Sequence, residues 1–140
     1  MISYRPTDDL SKSAEITYQN MRSYYEHYSV DWEQPKILEQ IQGLDNWDIL
    51  YNDELIGAIR LSFDDQGCYL RDLQIAEPFQ NQGLGAKALS QSMQLARNLD
   101  ATNLRLRVFK ISPAQHLYIR EGFLVSSEDE RFLYMVQEIS

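Results

Sequence analysis

The sequence contains little of several residue types, and each shortage excludes a class of protein. There is one cysteine, Cys68, in 140 residues, so neither an internal disulfide framework nor a cysteine-based metal site is available. No apolar run reaches the ~18 residues that a membrane span requires. The N-terminal MISYRPTDDL lacks the basic start and the apolar stretch of a signal peptide. We therefore expect a cytoplasmic protein with no membrane partner.

Basic residues are also few. The chain has 13 lysines and arginines against 21 acidic residues, a net charge of −8. Residues 1–70 carry all of this excess, whereas residues 71–140 have equal numbers of acidic and basic side chains. Nucleic-acid binding requires basic side chains to neutralise phosphates, so no nucleic-acid partner is expected. The acidic half favours either a cationic ligand or simple solubility, and composition leaves both open.

The length indicates one domain over residues 1–140, and the order of apolar patterns predicts its architecture. A short N-terminal strand is followed by two helical patterns, over residues 10–28 and 31–44. Alternating patterns with short turns then predict three strands within residues 48–76. The rest of the chain indicates a helix, a strand, a second helix and a closing hairpin. This order predicts an α/β or α+β fold, with a mixed, mostly antiparallel central sheet of about six to seven strands and about four helices.

The segment QNQGLG, Gln80–Gly85, lies where a loop becomes a helix. Apolar residues recur at helical spacing directly after it. The first N–H groups of a helix lack internal partners and lie at the positive end of its dipole, so such an end binds phosphate. Glycines there let phosphate oxygens approach the backbone and tolerate a positive φ. A glycine-containing loop that only turns the chain is the simpler alternative.

A second alternative comes from the letters GLGAKA, which fit the dinucleotide-binding fingerprint G-x-G-x-x-G/A. That fingerprint follows a strand directly within a βαβ unit and has an acidic residue about 20 positions later. Here seven residues separate Ile75 from Gly83, and the next strand ends in Phe109 and Lys110. The context therefore argues against a nicotinamide-binding fold.

A second motif, SPAQHLYIREGF, extends from Ser112 to Phe123. It predicts a short helix with Ser112 at its start and Gly122 at its end. With both motifs in view, the chain resembles the GNAT superfamily of acetyl-CoA-dependent N-acetyltransferases. The loop matches the family signature Gln/Arg-x-x-Gly-x-Gly/Ala, and the second motif matches Asn-Pro-Ala-x-x-Leu-Tyr-x-x-x-Gly-Phe, with serine in place of the first asparagine. The resemblance covers essentially the whole chain.

The resemblance implies acetyl-CoA as co-substrate and no metal. Backbone amides of the loop would hold the cofactor pyrophosphate, and the strand Leu73–Ile75 would run beside the pantetheine arm. Ser112 and Tyr118 would contribute from the second motif. The implied cofactor-binding residues are Leu73, Ile75, Gln80, Asn81, Gln82, Gly83, Leu84, Gly85, Ser112 and Tyr118.

Tyr118 matches the family tyrosine that gives a proton to the leaving thiolate. A phenol with an ordinary pKa of about 10 is protonated at neutral pH and can act in this way. Packing beneath the helix is the alternative for Tyr118. Asp72 is the candidate that would take the proton of the attacking amine through water, and pairing with Arg71 or a neighbouring strand is its alternative.

Tyrosines at helical spacing, Tyr18, Tyr24, Tyr25 and Tyr28, indicate either core packing or one wall of the acceptor pocket. In the resembling family the first two helices wall that pocket, so Tyr24, Tyr25 and Tyr28 are the expected substrate-binding residues. Aromatic faces near acidic side chains suit a cation, and we expect a small cationic amine as acceptor. The alternative function is a non-catalytic acyl-CoA-binding sensor or interaction module of the same fold. The closing hairpin makes a homodimer possible.

Overall fold

The computed structural model describes residues 1–139, which contain seven strands and four α-helices. The strands are β1 (Ile2–Pro6), β2 (Asp45–Tyr51), β3 (Glu54–Asp64), β4 (Gly67–Ile75), β5 (Asn103–Phe109), β6 (Leu124–Glu128) and β7 (Phe132–Glu138). The helices are α1 (Leu10–His27), α2 (Gln34–Ile41), α3 (Leu84–Asn98) and α4 (Ala114–Arg120). No helix in these 139 residues is long and apolar enough to cross a membrane.

The strands form one seven-stranded sheet in the order β1-β2-β3-β4-β5-β7-β6. β1 pairs with β2 in antiparallel register, and β7 pairs in the same way with both β5 and β6. β4 and β5 are parallel, with Cys68–Leu70 opposite Leu104–Leu106. The predicted element order and the mixed sheet are confirmed.

The first compact unit, unit 1, comprises Met1–Arg60 and Asp72–Gly85. α1 begins where predicted, because the Asp9 side chain accepts a hydrogen bond from the Lys12 N–H. Its apolar core is built from one face of each of α1 and α2 and from continuous buried runs of β2 and β3. The members of this core include Ala14, Tyr25, Ile37, Ile41, Ile49, Ile56 and Ile75.

The second compact unit, unit 2, comprises residues 61–71 and 86–139. Residues at alternate positions are buried in the unit 2 part of β4 and along most of β5, which is the pattern expected of a sheet with one covered face. Its buried apolar residues include Cys68, Leu70, Ala88, Leu89, Ala96, Leu104, Leu106, Phe123 and Met135.

Candidate active site

The predicted phosphate-binding loop connects β4 to α3 in unit 1. A 3₁₀ turn, Glu77–Phe79, follows the strand, and α3 begins at Leu84. Asn81 and Gly83 both have left-handed backbone conformations, with φ of 63° and 79°. A Cβ atom on Gly83 would meet nothing within 4 Å. Glycine is therefore required there by backbone conformation rather than by packing, and the space beside it is open.

Side-chain amides hold the shape of this loop. Gln80 Nε2 donates to the Ile75 carbonyl at 2.9 Å, and Gln82 Nε2 donates to the Pro78 carbonyl at 3.2 Å. Leu84 is buried and fixes the first turn of α3. With both glutamine side chains turned onto the loop itself, the backbone N–H groups at the start of α3 are the groups suited to an anion.

A buried arginine organises the sheet beneath α1. The Arg60 side chain, on β3, is 0% exposed. A guanidinium has five N–H donors, and each has an acceptor within unit 1. Nε donates to Asp72 at 3.3 Å, Nη1 to the Ser13 hydroxyl and Asn46 Oδ1 at 2.8 and 3.1 Å, and Nη2 to the Ser13 carbonyl and Thr17 hydroxyl at 3.0 and 2.9 Å. This complete pairing is what makes burial of the charge tolerable.

Asp72, the predicted proton acceptor, belongs to the same network. Its Oδ2 accepts from Arg60 and from the Thr17 hydroxyl at 2.8 Å, and its Oδ1 accepts from Gln74 Nε2 at 2.6 Å. Its side chain is 18% exposed. The structure thus pairs Asp72 with a neighbouring strand, which was one of its two predicted alternatives, and its role in proton transfer stays a prediction.

The network continues to the end of β4. Asn20 Nδ2, on α1, donates to Gln74 Oε1 at 3.0 Å and to the Ile75 carbonyl at 2.8 Å. Ile75 therefore receives side-chain donors from both Asn20 and Gln80 at the point where the loop begins. A continuous series of hydrogen bonds extends from the buried arginine to the loop.

Sequence reasoning missed Arg60 and Asn20. The available signal for Arg60 was its position within the apolar run LIGAIRLSF. A charged side chain in a strand that is buried on both faces must have polar partners, because burial of an unpaired charge is very unfavourable. Asn20 gave no such signal, since its partners lie 54 and 55 residues away in the sequence.

The predicted substrate-binding tyrosines of α1 differ in burial. Tyr25 is 8% exposed and packs edge-on against Trp32, with ring centroids 5.2 Å apart. Tyr24 and Tyr28 are half-buried, and the Tyr28 ring lies 4.8 Å from that of His27. Core packing thus accounts for Tyr25, while Tyr24 and Tyr28 keep exposed surface.

The predicted residues of the second motif lie in unit 2. Tyr118 is 8% exposed, and its ring packs edge-on against Phe123 with centroids 5.9 Å apart. Ser112 is also buried, and its hydroxyl accepts from the Ala114 N–H at 3.1 Å. The N-cap residue of α4 is Pro113 rather than the predicted Ser112, which bonds to the first N–H of the helix from one position earlier. Gly122, with φ of 99°, follows the end of that helix.

Comparison with known proteins identifies the family. The model of the acetyltransferase (GNAT) family matches residues 13–123. No curated protein matches the sequence.

Solved structures with the same fold include several acetyltransferases. A PaiA N-acetyltransferase from Thermoplasma acidophilum, in complex with coenzyme A, has a TM-score of 0.74 at 16% identity over 99% of both chains. A GNAT family acetyltransferase from Elizabethkingia anophelis with acetyl-CoA bound has a TM-score of 0.73 at 18% identity over 98% of this chain and 97% of that one. The ribosomal-protein-S18-alanine N-acetyltransferase from Escherichia coli has a TM-score of 0.75 at 18% identity over 100% and 95%.

These structures establish the fold, and the family match covers more than half of the chain. The predictions of the family and of an acyltransferase are confirmed. The protein belongs to the acetyltransferase (GNAT) family.

Proposed function

We propose that the protein transfers an acetyl group from acetyl-CoA directly to a primary amine. The observation that carries this proposal is the loop at the start of α3, where Asn81 and Gly83 take left-handed conformations beside open space. Backbone N–H groups of Gln82–Gly85 would hold the pyrophosphate of the donor at the positive end of the helix. Coenzyme A in one structural neighbour and acetyl-CoA in another support the choice of donor.

The strand that leads to this loop would hold the pantetheine arm. Backbone groups of Leu73 and the N–H of Ile75 would bond to the pantetheine arm, as a peptide adds to the edge of a sheet. The side chains of Asn20 and Gln80 fix the Ile75 carbonyl, so the backbone at the end of β4 is preorganised. Residues 1–140 would act as one N-acetyltransferase domain, which is supported by a family match that includes residues of both units.

Tyr118 is the proposed general acid. Collapse of the tetrahedral intermediate expels the coenzyme A thiolate, and a phenol can give its proton to that sulfur. Burial of Tyr118 against Phe123 gives its ring a fixed position. Ser112 would contact the donor from the turn that starts α4.

Asp72 is the proposed general base. Its carboxylate would remove the proton of the amine through a water molecule. Its partial exposure gives water access, and its bonds to Arg60 and Thr17 fix the orientation of the carboxylate. An Asp72→Asn variant that keeps the pH profile of kcat/KM would contradict this assignment.

The acceptor that we propose is a small cationic amine. Tyr24 and Tyr28 retain exposed aromatic surface, and Glu26, Asp31 and Glu33 on the same stretch of chain are exposed. Aromatic faces and carboxylates together attract a cation. A protein amine is the competing acceptor, since one structural neighbour is a ribosomal-protein-S18-alanine N-acetyltransferase.

Release of free thiol from acetyl-CoA across a panel of amines tests the function. We expect amine-dependent release, fastest with di- and polyamines, and mass spectrometry of incubated proteins would reveal a protein acceptor instead. Binding of coenzyme A without turnover on any amine would favour the alternative, a non-catalytic acyl-CoA sensor.

A homodimer and a cytoplasmic location complete the proposal. β6 forms an edge of the sheet, all five of its residues are exposed, and Leu124 is 72% exposed. Exposed apolar edge strands pair readily with a second chain, and light scattering on a sizing column would give the mass. A single cysteine, which cannot form an internal disulfide, supports the proposed location, because the cytoplasm is reducing.

A further inference from the structure

One face of strands β4, β5 and β7 in unit 2 has arginines interleaved with aromatic rings. We call it the arginine face, and its members are Tyr69, Arg71, Arg105, Arg107, Phe132 and Tyr134. The strand register places Tyr69 opposite Arg105, and Arg107 opposite Tyr134. Directly opposed residues and residues two apart along a strand share a face. Arg71 and Arg107 are exposed, and the other four are half-buried.

The guanidinium groups of this face lie close to the aromatic rings. Arg107 Cζ is 4.2 Å from the ring centroid of Phe132, and the Cζ atoms of Arg105 and Arg71 are 5.5 and 5.9 Å from that of Tyr69. Stacking uses the flat face of a guanidinium and leaves its N–H edge able to make paired hydrogen bonds to a carboxylate. It also orders the side chain before binding, which reduces the entropy lost on binding.

The charges on this face are only partly balanced. Arg105 makes two hydrogen bonds of 2.7 Å to the carboxylate of Asp64. Within residues 1–139, Arg71 and Arg107 form no ion pair with a carboxylate.

Tyr69 lies within reach of these charges. Burial raises the pKa of its hydroxyl, while the charges of Arg107, Arg71 and Arg105 act in the opposite direction. Arg71 and Arg107 follow Leu70 and Leu106, the last residues of the parallel ladder, and the charges of both act on the Tyr69 hydroxyl. Positive charges that act on one hydroxyl also repel each other, and an anion bound at that hydroxyl would reduce the repulsion.

We propose that Arg71, Arg107 and the Tyr69 hydroxyl bind carboxylate side chains of an acidic peptide segment. Two guanidinium edges and a hydroxyl provide the donors for one or two carboxylates. Because Arg71 and Arg107 are exposed on a sheet face, an extended peptide can reach both of them. Nothing in the acetyl-transfer proposal requires this site, and the two proposals can fail separately.

The surroundings favour a short acidic peptide over a nucleic acid. Arg107 lies over the face of Phe132, so that ring is not a free platform on which a base could stack. Exposed acids border the face, with Asp64 at one side, Glu128 at the end of β6, and Asp129 and Glu130 in the turn after it. The net charge of −8 on the whole chain repels a peptide and a nucleic acid of similar charge alike, so the choice between them rests on the Phe132 ring, which Arg107 covers.

Fluorescence polarisation with labelled hexaglutamate, without acetyl-CoA present, tests the proposal. Labelled hexaserine and a six-nucleotide oligothymidylate serve as the competing probes. We expect hexaglutamate to bind best, and Arg71→Gln and Arg107→Gln each to weaken its binding at least about tenfold, because a hydrogen bond to a charged group is worth about 1.5–3 kcal/mol. Arg97→Gln is the matched control, since Arg97 is an exposed arginine of α3, and it should change binding by less than about twofold.

Two conservative variants separate specific recognition from loss of charge or fold. Arg107→Lys keeps the charge but loses the paired N–H edge, and it should bind nearly as weakly as Arg107→Gln. Tyr69→Phe removes only a hydroxyl and should weaken binding about threefold or more. The proposal is overturned if wild-type protein does not bind hexaglutamate, if the oligonucleotide binds more tightly, if Arg97→Gln costs as much as Arg71→Gln, or if Arg107→Lys retains full affinity. Thermal denaturation of each variant checks its fold.

Discussion

Replacing Arg60 with methionine would remove a guanidinium whose five N–H groups all have acceptors inside unit 1. Methionine fills similar space and has no donor. The carboxylate of Asp72 would lose its charge partner, and the oxygens of Ser13, Thr17 and Asn46 would each lose a hydrogen-bond donor. Several of these oxygens are buried, so water is not free to replace the guanidinium.

The expected cost follows from the burial of the pair. Removal of one partner from a buried, hydrogen-bonded ion pair costs about 3–5 kcal/mol. Because Asp72 is 18% exposed and can be partly rehydrated, we expect the lower half of this range, about 3–4 kcal/mol. Domains of this kind have a free energy of unfolding of about 5–15 kcal/mol, so the variant would lose a large share of its stability.

Urea denaturation followed by circular dichroism measures this loss. With an m-value of about 2 kcal/mol/M, the midpoint should fall by about 1.5–2 M. Arg105→Met is the matched control, because Arg105 pairs with Asp64 at the surface, where the two side chains are 21% and 53% exposed. A surface pair is worth about 0–1 kcal/mol, so its midpoint should fall by at most about 0.5 M.

A second substitution tests the cause of the loss. Adding Asp72→Leu to Arg60→Met removes the unpaired carboxylate and should recover part of the lost stability, which gives a coupling energy between the two sites. If Arg60→Met costs less than about 1 kcal/mol, or no more than Arg105→Met, the reasoning about the buried network is refuted.

Three further substitutions test the site and the surface charges. Tyr118→Phe should lower kcat by about a hundredfold or more, with the KM for acetyl-CoA changed only a few-fold, because a general acid contributes about 10²–10⁴ to the rate; steady-state kinetics measure this, and full turnover would contradict it. Gly83→Ala should cost about 1–2 kcal/mol of stability, because alanine is strained in a left-handed conformation. It should also weaken the binding of coenzyme A, which calorimetry measures. An unchanged affinity would show that the loop does not bind the cofactor. The pKa of the Asp64 carboxyl is lowered, mainly by its hydrogen bond from Arg105. As the pH falls, the unfolded chain therefore takes up a proton at this residue before the folded chain does. The stabilisation from the pair is present above pH ~4 and is lost as the pH falls below that value. Asp64→Asn should therefore flatten the acid side of the stability profile in denaturation curves at pH 2–5, and an unchanged profile would contradict the pairing.

The sequence alone predicted the elements that local patterns determine. Apolar spacing after Leu84 and the serine and proline before α4 locate two helices, because helix capping and amphipathic burial depend on neighbouring residues. The order of strands and helices, together with two motifs, was sufficient for the family and therefore for the mixed sheet. Gly83 was correctly placed at the start of α3, since a left-handed position there favours glycine.

Contacts between distant residues were not predictable in the same way. Arg60 meets Ser13 and Asn46 across 47 and 14 positions, and periodicity contains no information on which strand faces which turn of a helix. The same limit applies to Asp72, for which the sequence left two partners open, and to Tyr25, which tertiary packing buries while Tyr24 beside it keeps exposed surface.

The central claim is that the acetyl group of acetyl-CoA ends on the nitrogen of an amine. Mass spectrometry of a reaction with limiting acetyl-CoA and excess polyamine tests it most directly, with coenzyme A and acetylated amine quantified together. The account predicts N-acetylated amine and free coenzyme A in equal amounts, both strongly reduced in Tyr118→Phe. Free coenzyme A without acetylated product, or no consumption of acetyl-CoA with any amine or protein acceptor, would contradict it.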